Sequence, residues 1–226
     1  TGVQYTGGLI GSLGNTNSNT ANVILKNSYS ESNVKGTSNN VGGLIGYSNY
    51  VTVENCYTTG KVEGTSSYVG GLIGQQSSGT TSKTYATGEV TGSSNIGGLV
   101  GYSSSGTITN SFATGKVTAS STVGGLVGYQ NYGTISNTYA MGEIISTVSS
   151  KGGLLGSQYR GTLTNSYYIT EGSKVIANGF GTEIVSFVTG AKGETYSGFD
   201  FAETWKIEEG KSTPYLKNIV VPDSVY

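Results

Sequence analysis

The pentapeptide Gly-Gly-Leu-(Ile/Val/Leu)-Gly begins six times along the chain, at Gly7, Gly42, Gly70, Gly97, Gly124 and Gly152, at intervals of 35, 28, 27, 27 and 28 residues. Self-similarity at a fixed period of this size marks a chain that stacks one small unit on the next. A second element follows each pentapeptide: Asn27-Ser28-Tyr29, Asn55-Cys56-Tyr57, Lys83-Thr84-Tyr85, Asn110-Ser111-Phe112, Asn137-Thr138-Tyr139 and Asn165-Ser166-Tyr167. It starts 13 residues after the first Gly in five copies and 20 after it in the first. The seven extra residues, around Asn15–Ala21, are polar and read as a looped-out insertion. A third element, Gly-x-Val/Ile, starts at Gly60, Gly88, Gly115 and Gly142.

No stretch carries apolar residues at helical spacing, and segments such as Thr107–Thr114 are β-formers bounded by turn residues. One such coil cannot bury its apolar side alone, whereas stacked coils can. The expected fold is therefore all-β, a β-solenoid of the parallel β-helix type with about six coils of 27–28 residues and a C-terminal cap. At ~4.8 Å between paired strands, six coils span roughly 29 Å. Stacking in register builds columns. Leu9, Leu44, Leu72, Leu99, Leu126 and Leu154 form one, and Ile10, Ile45, Ile73, Val100, Val127 and Leu155 the next. Val34, Val62, Val90, Val117 and Ile144 form a third; Leu25, Val53, Thr81, Ile108, Ile135 and Leu163 form a fourth. Just ahead of the third column stand Asn33, Lys61, Glu89, Lys116 and Glu143, whose charge alternates coil by coil. Opposite charges favour adjacent strands and like charges oppose them, so the alternation supports in-register stacking. The third coil, with Thr81 in an apolar column and Lys83 for Asn, is expected to be locally irregular.

Composition closes off other classes. His is absent, so no Ser-His-Asp triad and no HExxH zinc site can form. Gly is abundant, 38 of 226 residues, but without a three-residue period and with only two Pro the chain is not collagen. Of those glycines 18 lie in the pentapeptides, which recur without a following helix and are no phosphate loop. A net charge of −1 with dispersed basic residues gives no footprint for nucleic acid. No apolar run approaches the ~18 residues of a membrane span, and no stretch of this sequence reads as a basic-then-apolar leader. The start at Thr1 rather than Met reads as a mature product or an excised fragment. Cys56 is the single cysteine and shares a column with Ser28, Thr84, Ser111, Thr138 and Ser166, which makes it structural filler.

The array is read as residues 1–170. Residues 171–226 differ: they hold the single Trp (Trp205) and both Pro. Phe199, Phe201, Trp205, Ile207, Tyr215 and Leu216 are expected to cover the open end of the last coil, as capping repeats do. The opposite end shows no comparable cap, which fits a longer parent protein.

Gly97–Val117, with Gly-Gly-Leu-Val-Gly followed by Ile-Thr-Asn-Ser-Phe-Ala-Thr-Gly-Lys-Val, resembles the GLUG repeat of bacterial surface proteins. Phe199-Asp200-Phe201, Trp205 and Gly210–Leu216 are similar to the stretch that often closes such arrays. The resemblance covers about Gly7–Leu216. It implies an extracellular or cell-surface bacterial location and a repeat-built stalk or binding surface, as in adhesin-like proteins and in non-catalytic regions of metallopeptidases that cleave immunoglobulin A. It does not transfer peptidase activity, because that chemistry needs a His-containing domain.

Three residue columns are candidates for function. The Asn column (Asn27, Asn55, Asn110, Asn137, Asn165) reads as a stacked amide ladder. The aromatic column (Tyr29, Tyr57, Tyr85, Phe112, Tyr139, Tyr167) reads as rings stacked in or beside the core, with sugar stacking as the alternative. In the column Ser12, Tyr47, Gln75, Tyr102, Tyr129, Ser157, polar substitutes replace Tyr, so the candidate binding surface is an exposed face carrying Tyr47, Tyr102 and Tyr129. No catalytic, cofactor-binding or metal-ligating residue is nominated. Asp is scarce, Glu208–Glu209 read as surface charge, and Glu89 and Glu143 are expected to pair with Lys61 and Lys116. The sequence thus favours a non-catalytic spacer and adhesive module whose partner is a surface protein, a glycan or neighbouring domains of the parent chain, without membrane insertion. A carbohydrate-binding module and a carbohydrate-active enzyme are the competing readings, with an ice-binding face on Thr59, Thr87 and Thr114 more remote.

Overall fold

The structure is a computed structural model and describes residues 4–14, 23–147, 150–169, 182–184, 196–208 and 211–225. Among these residues the strands that enter each glycine pair form one six-stranded sheet, Thr6–Gly7, Val41–Gly42, Ser67–Gly70, Ser94–Gly97, Val123–Gly124 and Lys151–Gly152. Beyond the pentapeptide bend the chain enters a larger sheet through strands such as Ile45–Asn49, Ile73–Gln76 and Val100–Ser103. It turns a corner, continues through Val51–Glu54, Gly79–Ser82 and Thr107–Ala113, and reaches the aromatic column. A five-stranded sheet closes the coil: Val34–Gly36, Val62–Gly64, Val90–Gly92, Val117–Ala119 and Ile144–Ile145. Six pentapeptides thus bound five complete turns. The insertion at 15–21 and the close of the sixth coil lie outside the described residues.

Among the described residues the pairing between coils is parallel and, apart from a local slip between the fifth and sixth coils, joins the residues that the repeat makes equivalent, such as Val62 with Val90, Val90 with Val117, and Ile108 with Ile135. The glycine pair permits it. A Cβ at Gly98 would run into the carbonyl oxygen of Gly125 in the next coil and lie 2.9 Å from the Ala113 methyl. A Cβ at the closing Gly101 would lie 2.6 Å from the Val69 nitrogen of the preceding coil.

The Asn column has a backbone role that the ladder expectation missed. Asn27, Asn55, Lys83, Asn110, Asn137 and Asn165 all have φ between 45° and 53°. Each makes a left-handed corner, which Asn tolerates better than other side chains. The corner turns the next side chain inward, where its hydroxyl donates to the carbonyl two residues back, as in Ser111 to Thr109 (2.7 Å) and Ser166 to Thr164 (2.8 Å). Cys56 fills this slot fully buried, its thiol reaching the Glu54 carbonyl at 3.3 Å. Burial pushes the Cys56 thiol pKa up, away from thiolate chemistry. An amide ladder also exists at Asn165 and Asn137, 3.3 Å apart.

Three apolar compartments result. The first contains the pentapeptide columns from the second coil onward, Val53, Ile108, Ile135 and the small residues Ala86, Ala113 and Ala140, whereas Leu9 of the first coil, expected in a core column, has no coil beneath it and is exposed. The second is a valine-rich seam, Val34, Val62, Val90 and Val117 against Val41, Val69, Ile96 and Val123. Those last four stand just ahead of each glycine pair and form an apolar column that the sequence reading did not identify. The third joins the aromatic column to the C-terminal segment.

The third coil is regular, contrary to expectation. Thr81 pairs in register with Val53 and Ile108, and its buried hydroxyl donates to the Gln76 side-chain oxygen (3.1 Å). A neighbour within the coil supplies the partner that a buried hydroxyl requires. The alternating charges are realised at Lys61–Glu89 (3.4 Å). Among the described residues Lys116 forms no ion pair with Glu143, so that expected pairing is corrected. Glu63 instead receives Lys61 (2.9 Å) and Lys35 (3.4 Å).

The aromatic residues of the C-terminal segment lie against the flank of the solenoid rather than over its end. Trp205 is fully buried, stacks on Phe199 (4.5 Å) and leans on Phe112 (6.1 Å) and Tyr139 (6.0 Å). Its indole N–H donates to Asn110 (3.2 Å). The hydroxyls of Tyr85, Tyr139 and Tyr167 donate to the carbonyls of Val220, Pro214 and Ser197. The segment therefore runs as a strap from the sixth coil back to the third. Within the strap, Trp205–Lys206 pairs antiparallel with Tyr215–Leu216. At the end itself, Thr182–Ile184 adds a parallel rung to Tyr167–Ile169.

Lys83 holds a left-handed corner with a long side chain, at a cost of about 1 kcal/mol, and its contact with Glu54 is long and exposed (3.8 Å). Lys83→Asn is expected to raise stability by ~0.5–1 kcal/mol in urea unfolding. An unchanged or lower midpoint would remove the corner explanation.

Candidate functional site

The tyrosine column sits on the outward positions of the strands that follow the pentapeptides. Pairing aligns Ser12, Tyr47, Gln75, Tyr102, Tyr129 and Ser157 as one file. Tyr47, Tyr102 and Tyr129 are half-buried rather than fully exposed. Tyr102 and Tyr129 stack in parallel, 5.5 Å between centroids and 2° between planes. Gln75 separates them from Tyr47, so the three nominated tyrosines do not form one continuous stack. Two further rings join the face from the residues just ahead of the glycine pairs. Tyr5 tilts against Tyr47 (5.1 Å) and Tyr68 against Tyr102 (5.0 Å). Both stand two residues before a Gly-Gly, a shared position that could have revealed them.

Between the fifth and sixth coils the ladder slips and recovers. Gln130 pairs with Gln158 but Asn131 with Arg160, so Tyr159 is an extra residue on one strand; the register returns at Thr134 with Thr162, with Tyr132 in the compensating stretch. Such bulges re-aim side chains. Tyr159 is 60% exposed and Tyr132 43%. The two rings meet edge to face at 6.1 Å, and the Arg160 guanidinium lies 5.3 Å from Tyr159 and 5.8 Å from Tyr132. The sequence shows these residues but gives no sign of the bulges.

The aromatic column is mostly covered. Tyr29, Tyr57, Tyr85, Phe112 and Tyr139 stack with centroids 4.9–5.0 Å apart. Tyr85, Phe112 and Tyr139 are fully buried, while Tyr29 is 56% exposed. Burial pushes the Tyr139 phenol well above its ordinary pKa. From Tyr57 to Tyr167 this column packs into one cluster with the strap.

The carboxylates are dispersed. Glu54 lies between Lys26 (2.7 Å) and Lys83 (3.8 Å). Glu31 and Asp223 line a groove of about 400 Å³ between the strap and coils one to three, with Tyr57 and Tyr85. Among the described residues no group of three or more His, Cys, Asp or Glu is placed to hold a metal ion. Glu208 accepts from the Tyr215 hydroxyl (3.4 Å), and Glu209 lies outside the described residues.

The motif profile that matches this architecture is the GLUG motif, at residues 37–63, 92–118 and 119–145. The chain carries GLUG repeats. The matched GLUG copies flank the third coil, where Thr81 and Lys83 depart from the pattern. Among solved structures, a candidate immunoglobulin A1 protease from Bacteroides ovatus has the same fold. It superposes with a TM-score of 0.67 at 20% identity, over 95% of this chain and 74% of that one. No curated protein sequence matches the chain.

The Lys26 ammonium, by its hydrogen bond, holds the Glu54 carboxyl below its ordinary value of 4.5. A depressed carboxylate stabilises the fold above its unfolded pKa, and that contribution disappears as pH falls through the folded value. Lys26→Met is therefore expected to destabilise the GLUG array by less than about 1 kcal/mol near neutral pH. The gap should close as pH falls below 4.5 in chemical unfolding series; a gap independent of pH would contradict the assignment.

Proposed function

We propose that this GLUG-repeat chain is a non-catalytic structural and interaction module of a bacterial cell-surface or secreted protein, acting as a spacer that presents an adhesive face. The observation that carries the reading is the division of labour within each coil. Glycines, aliphatic residues and the Asn corner maintain the stack, whereas the outward strand positions vary among Tyr, Gln and Ser. The dispersal of carboxylates supports the non-catalytic part: Glu54, Glu63 and Glu89 each lie within ion-pair distance of lysine, whereas glycoside hydrolysis needs a facing acid pair. The fold likeness to the Bacteroides ovatus protein is compatible with a repeat region in a larger secreted assembly.

A second reading, glycan recognition on the face of Tyr47, Tyr102 and Tyr129, is favoured by one observation. Five tyrosines, including Tyr5 and Tyr68, converge there without entering a core cluster. Tyrosine offers a rigid apolar body with a polar tip at low entropic cost.

Both readings meet in one experiment, a glycan array probed with the intact chain alongside a polysaccharide hydrolysis panel. The expected result is saturable binding that drops at least ~10-fold in Tyr102→Ala, with no turnover. Turnover of any polysaccharide would overturn the non-catalytic reading, and an empty array would overturn glycan recognition.

A further inference from the structure

The tyrosine face ends asymmetrically at the sixth coil. Tyr102 has Tyr68 tilted against it and Tyr129 stacked in parallel, so its faces are occupied by other rings. Stacked rings of this kind leave mainly their edges for solvent. Tyr129 differs. Tyr102 covers one side, and on the other its partner in the file is Ser157, too small to cover a ring. Among the described residues no other ring contacts Tyr129. The file therefore closes on a step: a half-buried phenol with a serine as its next neighbour in the file.

The two bulges stand beside this step. Tyr159 follows Ser157 by two residues, which on an ordinary strand places both on the same face, and the bulge turns it out to 60% exposure. Arg160 is adjacent. It is the single arginine of the chain, and among the described residues no carboxylate pairs with it. Its recorded partners are aromatic: the Tyr132 and Tyr159 rings, and a 3.5 Å hydrogen bond to the Tyr132 hydroxyl. A guanidinium carries five N–H donors, so one such bond leaves a bidentate edge available. The rings hold it in place, which lowers the entropy lost when an anion binds. Asn131, paired with Arg160, donates to the Tyr102 hydroxyl at 3.4 Å and links the cation to the stack.

We propose that the step formed by Tyr129, Ser157, Tyr159 and Arg160 binds a carboxylate-bearing sugar. The apolar face of the pyranose ring lies on Tyr129, and the carboxylate takes the free edge of Arg160. The proposal rests on the glycan reading above and narrows it to acidic sugars at one coil. Uronic acids and sialic acids share the required chemistry of a saturated ring bearing a carboxylate.

The test is calorimetric or NMR titration of the intact chain with methyl β-glucuronide, the methyl glycoside of N-acetylneuraminic acid and methyl β-glucoside. At least one acidic sugar is expected to bind ~10-fold more tightly than the neutral one, with the difference shrinking as salt rises. Arg160→Gln should bring acidic sugars down to the neutral level. Ser157→Tyr should abolish binding of all three. It extends the stack with the residue already present at Tyr47, Tyr102 and Tyr129, so it fills the step without removing the arginine and should preserve the unfolding midpoint. Equal affinity for neutral and acidic sugars, lost in Ser157→Tyr, would overturn the acidic inference and leave glycan recognition standing. Absence of binding to all three would overturn the inference, while binding of other glycans on the array would keep the broader reading. Binding that survives Ser157→Tyr would place the sugar elsewhere and overturn the site.

Discussion

Leu44 donates its backbone N–H to Leu72, Leu72 to Leu99, Leu99 to Leu126 and Leu126 to Leu154, each at 2.9–3.0 Å. These bonds form a line through five coils, and they require successive pentapeptides to sit directly over one another. The glycine pairs admit that approach and penalise any other alignment, because a shift by one residue sets a Cβ against a neighbouring carbonyl. A slip would also turn every core residue outward. Register, once fixed here, aligns Lys61 with Glu89 and brings the tyrosines into one file. The left-handed Asn corner works in the same frame: it bends the chain at one place in each coil, and the two residues after it enter different compartments, as Cys56 and Tyr57 do.

The strap solves a problem that stacking creates. Aromatic residues repeated on one side of a solenoid form a stripe too apolar to leave in water, and adding coils only lengthens it. Trp205, Phe199 and the carbonyls of Val220, Pro214 and Ser197 cover that stripe and satisfy the phenols of Tyr85, Tyr139 and Tyr167. The strap bridges distant coils, so it couples elements that otherwise touch only their neighbours. Tyr29 lines a groove with Asn218, Ile219 and Val220 of the strap but remains exposed.

Most of the coil was legible because repetition converts sequence position into spatial neighbourhood. The Leu and Ile columns, the valine column and the Lys61–Glu89 pair all follow from aligning the copies. The same logic could have given the column of Val41, Val69, Ile96 and Val123, but coil one has Thr6 and coil six Lys151 there, which blurs it. Three features were not legible. The left-handed corner does not show in the Asn column, because Asn suits a side-chain ladder equally well. The strap's course depends on contacts such as Tyr85 to Val220, far apart in sequence and without periodicity. The bulges at Tyr132 and Tyr159 arise where two copies of equal length distribute their residues differently, and alignment by length cannot see that. The candidate face was accordingly read only in part: its column was found, but its end at Ser157 and Arg160 was not.

The account stands on in-register stacking, and disulfide trapping tests it directly. In a Cys56→Ser background, Thr80→Cys with Thr107→Cys joins residues that pair across coils three and four, at the ~5 Å Cα separation a disulfide requires. Thr80→Cys with Thr109→Cys is displaced by two residues, beyond ~7 Å and outside that range. Rapid, near-complete cross-linking of the first pair with little of the second is the expected result. Equal trapping of both, or preference for the displaced pair, would contradict the register on which the fold, the strap and the tyrosine face all depend.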